Sequence, residues 1–140
     1  MIAPAYVDGI ALWSPRLPGW DAAAPVLAGR AAAPESLARR PAPLLLPAAE
    51  RRRAPDSVAL AIEVGARACD AAGASPAELA SVFATTHGDL EITDYLCATL
   101  LESPLQTSPT RFHNSVHNAA AGYFFNDTAS TEIYTTVSAA

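Results

Sequence analysis

Three histidines carry most of the chemistry that residue types and spacing allow. His113 and His117 stand four apart, a spacing that on one continuous helix puts both imidazoles on the same face, and His87 offers a third nitrogen for a tetrahedral zinc site. That pattern defines one alternative, a small zinc-binding or metal-dependent hydrolase domain using His87, His113 and His117. The motif reads H-N-S-V-H, however, so the glutamate that acts as general base in H-E-x-x-H metalloproteases is missing. Proline and helix-start signals around the pair also oppose an unbroken helix through both. The preferred assignment is a turn feeding a helix, with Asn114 and Asn118 bonding backbone groups as asparagines do at turns and caps.

Cys69 and Cys97 are the only thiols, lie far apart, and form no C-x-x-C pattern, which excludes a disulfide framework or a zinc ribbon. A nucleophilic thiol needs a helix amino-terminus or a nearby cation to favour its thiolate. Cys97 falls in mid-helix between Leu96 and Leu100, and Cys69 on the apolar face of an earlier helix; both read as small core residues. Arg51, Arg52 and Arg53 form the only basic cluster. Such a patch can steer an acidic carrier protein, but a solvated helix end is the simpler account. Thr85, Thr86 and Asp89 flank a turn after a strand, a place where ligands bind in open sheets. With no Gly-rich phosphate loop, no cofactor is expected, and Asp89 is read as a helix cap.

These residues must be positioned by the elements around them. Tyr6 to Trp13 has strand-forming residues, with Gly9 marking a bulge or a close backbone approach. Ser14 to Pro47 is rich in proline, which removes amide donors and favours extended backbone, so a long covering loop with short helical turns is expected. From Asp56, a candidate cap, Val58, Ile62, Gly65 and Cys69 recur at i, i+4, i+7 and i+11, and Gly73 supplies a left-handed stop. Ser75-Pro76 opens a short helical turn. Ser81 to Thr86 reads as a buried strand. Asp89 then caps a helix with Ile92, Leu96 and Leu100 on one face, ended by Ser103-Pro104, and another helix starts near Asn118. Alternation of this kind argues for α/β layer packing, although the sheet would be too narrow to cover both its faces.

The 140 residues suffice for one domain, and 51% of them are apolar, many being alanines that bury little area each. A net charge of -5 gives no electrostatic reason for a nucleic-acid partner. No run approaches the roughly 20 apolar residues needed to span a bilayer, and no cationic region precedes an apolar one at the start. A cytosolic (cytoplasmic) location is expected.

Four segments resemble a β-ketoacyl synthase-like amino-terminal domain: V-D-G-I-A-L-W, A-L-A-I-E-V-G-A-R-A-C-D-A-A-G, V-F-A-T-T-H-G-D and, most specifically, S-P-T-R-F-H-N-S-V-H-N-A-A-A-G-Y. Within the family the chain is most similar to the short proteins called chain-length factors, partners of condensing enzymes in fatty-acid, polyketide and aryl polyene biosynthesis. The resemblance implies an incomplete amino-terminal part of a thiolase-like α/β/α/β/α fold, a dimer, a ketosynthase partner subunit, and acyl groups carried as thioesters on an acyl carrier protein. In active relatives a cysteine about twenty residues past the A-A-A-G-Y segment attacks the thioester, with two histidines from the carboxyl-terminal half assisting. No cysteine follows Tyr123 here, so no residue inherits a catalytic role. The expectation is a fragment of an acyltransferase family member that is inactive alone. The other alternative is a non-catalytic partner subunit that shapes an acyl channel.

The division expected is a partial domain over 1–123 and a tail over 124–140. Past Phe124 arginine and proline vanish and threonine becomes frequent. F-F-N-D-T-A-S-T-E-I-Y-T resembles translated sequencing-adapter read-through, so the tail is expected to be non-native.

Overall fold

The computed structural model describes residues 4–126, and for Phe125 and Asn126 the backbone only. Six α-helices follow one another: α1 (Trp20–Leu27), α2 (Ala48–Arg51), α3 (Asp56–Ala72), α4 (Leu90–Glu102), α5 (Pro109–Asn114) and α6 (Ala119–Asn126). Short 3₁₀ turns at Pro76–Glu78 and Pro104–Gln106 lie between α3 and α4 and between α4 and α5.

α3 forms where the apolar spacing places it. Val58, Ala59 and Ile62 are buried on one face, and Gly73 at φ 65° ends the helix, its amide and that of Ala74 bonding the Asp70 and Cys69 carbonyls. Asp56 does not cap this helix. It is the first helical residue, Pro55 holds the cap position, and the Asp56 carboxylate pairs with Arg40 instead. α6 packs on α3, so that Ile62, Val58, Leu46, Tyr123 and Phe124 make the core. Phe124 meets Phe83 edge to face, with centroids 5.3 Å apart. A Cβ on Gly65 would stand in ordinary van der Waals contact with both rings, 3.6 Å from Phe124 and 3.9 Å from Phe83, so their packing does not require glycine there.

Neither expected strand is present, and the described residues contain no strand at all. A strand is defined by its ladder, and extended backbone without a hydrogen-bonding neighbour is not one. Residues 6–13 instead run across α3, where a Cβ on Gly9 would strike the Ala68 carbonyl and lie 2.7 Å from the Ala72 nitrogen. Close backbone approach is therefore the role of Gly9. Residues 81–86 are likewise irregular, with Phe83 packed against the core and Ser81 Oγ buried without a partner.

The covering loop contains more helix than its prolines suggest. α1 tolerates Pro25 near its end, and its Ala23 is fully buried. Leu46, 2% exposed, brings the end of the loop into the core. In α4 the expected apolar face is only partly covered: Ile92 is buried, yet Leu100 is 59% and Leu101 85% exposed. Cys97 is exposed and is no core residue; Cys69 is half-buried. Of the small residues in α6, Ala119 and Ala120 pack on the core and Ala121 is buried. A Cβ on Gly122 would meet nothing within 4 Å, so close packing does not explain that glycine. Phe124, the first residue of the expected tail, belongs to the core; residues 127–140 lie outside the described part.

Candidate functional site

The first turns of α3, the turn before α4 and the link from α5 to α6 enclose a cleft of about 180 Å³. Its floor is apolar, formed by Val58, Ala61, Phe83 and Ala120, and its polar edge carries Ser57, Thr85, Asp89 and His117. Asp89 organises that edge. Its Oδ1 accepts the Ile92 amide at 2.9 Å, which caps α4 as the sequence indicates, and its Oδ2 accepts the Ser57 hydroxyl at 2.7 Å. The second bond ties α3 to the start of α4. Thr85 Oγ1 accepts the Gly88 amide at 3.1 Å. Gly88 has φ 65°, a left-handed conformation that glycine adopts without a Cβ clash. Its open face receives the His117 ring, to which a Cβ would come within 3.8 Å.

The histidines do not converge. α5 ends at Asn114, so His113 is helical while His117 lies beyond the helix, and the two do not share a helical face. His113 faces the Tyr123 ring edge-on at 6.5 Å, whereas His87 is exposed in the turn. Among the described residues no three His, Cys, Asp or Glu side chains gather where they could hold a metal ion. The proline-started α5 is too short to carry both imidazoles, so the one-face arrangement behind the zinc alternative is not formed.

Asn114 takes the structural role expected of it. It is buried, and its Nδ2 donates to the Arg53 carbonyl at 3.0 Å, binding the α5 end to the segment before α3. Its Oδ1 is buried without a partner. Asn118 starts α6 through its backbone carbonyl, which accepts the Gly122 amide at 3.0 Å. Burial raises the Tyr123 phenol above its ordinary value, a shift that the adjacent Asn114 side chain opposes. Burial is the larger of these two influences.

Neither thiol faces the cleft or stands at a helix amino-terminus: Cys69 is in the last turns of α3 and Cys97 in the middle of α4. Arg51 ends α2 and Arg52 and Arg53 follow it, all three exposed, as a solvated helix end. A second hollow, of about 490 Å³, includes Arg52, Arg53 and Arg111, but Asp56, Asp89 and Glu91 line it too. Arg53 also reaches Glu50 at 3.6 Å, and Arg111 stacks over Tyr95 at 4.1 Å, so the surface is mixed in sign. Sequence reasoning missed Glu63, a buried carboxylate that accepts from Arg67 Nε at 2.9 Å and from the Leu44 amide at 3.3 Å. The i, i+4 spacing of Glu63 and Arg67 was its available signal.

The described residues form helices around an apolar cleft whose polar lining includes Ser57, Thr85, Asp89 and His117. The family model described as "Beta-ketoacyl synthase, N-terminal domain" matches residues 22–140, and the chain belongs to that family. No curated protein and no solved structure matches it. Among the described residues no helix is long and apolar enough to cross a membrane.

Proposed function

We propose that this chain is the amino-terminal portion of a β-ketoacyl synthase or chain-length-factor-like protein of fatty-acid, polyketide or aryl polyene biosynthesis, inactive by itself in carbon–carbon bond formation. The family match over residues 22–140 carries this reading. Thioester attack requires a thiolate, which a helix amino-terminus favours, and Cys69 stands in the last turns of α3 and Cys97 in the middle of α4.

Exposed apolar side chains support incorporation into a larger α/β/α/β/α assembly: Leu100, Leu101 and Leu105 are exposed, Leu105 completely. The intact protein would act as a dimer with a ketosynthase partner subunit, on acyl groups delivered by an acyl carrier protein. The partial domain ends near residue 123 on compositional grounds, with a tail of different origin beyond it.

Incubating the purified chain with malonyl- and acyl-carrier protein tests inactivity. No ketoacyl product is expected; turnover that tracks the protein would contradict the proposal.

A further inference from the structure

The cleft between α3 and the α5–α6 link has the size and chemistry of a small-molecule site, independently of the family assignment. An apolar cavity of roughly 150 Å³ holds one benzene ring, and this cleft measures about 180 Å³. Val58, Ala61, Phe83 and Ala120 would cover the body of such a ring. Ser57, Thr85, Asp89 and His117 supply polar groups along one side, beside the buried Asn114, so a ligand with one polar end has a side of the cleft to face.

Charge at that edge decides which polar end fits. Each Asp89 oxygen already accepts one bond, from Ser57 or Ile92, and a carboxylate has about four acceptor sites in total. A further donor can therefore be accommodated, whereas a second carboxylate would meet a like charge. A cationic ligand would have to leave water for a largely apolar floor. A hydroxyl on a neutral ring meets neither penalty. From the cleft's volume, lining and edge, we infer that it binds a neutral ring-sized molecule carrying one hydroxyl donor, with the hydroxyl directed to Asp89 and the ring packed on Ala61 and Phe83.

Phenol is the probe, with benzene and benzoate as comparisons, titrated into ¹⁵N-labelled protein. Phenol should saturably shift the amides of Phe83, Thr85, His117 and Ala120, with dissociation in the ~millimolar range expected of so small a ligand. Benzene should bind several-fold more weakly, and benzoate at least tenfold. Ala61→Leu, which fills the floor, should reduce phenol affinity by about tenfold while leaving the remaining spectrum intact. Asp89→Asn retains a competent helix cap and should narrow the gap between phenol and benzoate. Shifts elsewhere or none, equal binding of benzoate and phenol to the unmodified protein, or undiminished affinity in a folded Ala61→Leu variant would each overturn the inference.

Discussion

The α3–α6 seam and the outer half of α4 are built from similar residues but differ in what covers them. In the seam, Ile62 is wholly buried and Tyr123 and Phe124 nearly so; along α4, Ile92 is buried while Leu100 and Leu101 face outward. Apolar periodicity is common to both helices. α3 receives the buried aromatic side chains of Tyr123 and Phe124 from α6, and the outer half of α4 has no such cover. Burial is thus a property of a pair of elements, and one helix's stripe specifies half of it.

The sharpest test of this contrast is Ile62→Ala. Truncating a fully buried isoleucine costs about 2–5 kcal/mol, so a large fall in the denaturant midpoint is expected. Asp89→Ala comes next. It deletes the α4 cap, worth about 0.5–2 kcal/mol, and the Ser57 link to α3; chemical denaturation should show a loss within or slightly above that range. Tyr123 gives the seam a pH signature. Its phenol is raised from the ordinary value of 10.0, chiefly by burial, so the folded state holds that proton more tightly than the unfolded chain does. The stabilisation is complete below pH 10 and is lost as pH climbs through the raised value. Alkaline melts should decline there, and Tyr123→Phe should remove this part of the slope. The smallest effect belongs to α4: Leu101→Ala at an 85% exposed position should change stability by no more than about 0.5 kcal/mol. A loss comparable to that of Ile62→Ala would erase the distinction between the two regions.

The same contrast explains what the sequence disclosed. α3, its Gly73 stop, the Asp89 cap and the helix beginning after Asn118 rest on local chemistry, and all are present. The strands at 6–13 and 81–86 needed hydrogen-bonding neighbours, which no local pattern supplies. α1 was hidden because Pro25 reads as a breaker, yet near the end of an eight-residue helix it interrupts little. Cys97 was assigned to a core because its neighbours are leucines; with no element over that side of α4, it is exposed. In the candidate site, Asp89 and Asn114 were recognisable as capping and turn residues. The meeting of Ser57, Gly88 and His117 around a cleft was not, since it joins three separate parts of the chain.

The central claim is that no thiol in this chain is placed to attack a thioester. Intact-protein mass spectrometry after incubation with an acyl-carrier thioester, followed by peptide mapping of Cys69 and Cys97, tests it most directly. An unchanged mass is predicted; a stoichiometric acyl adduct on either cysteine, discharged by hydroxylamine, would contradict the account.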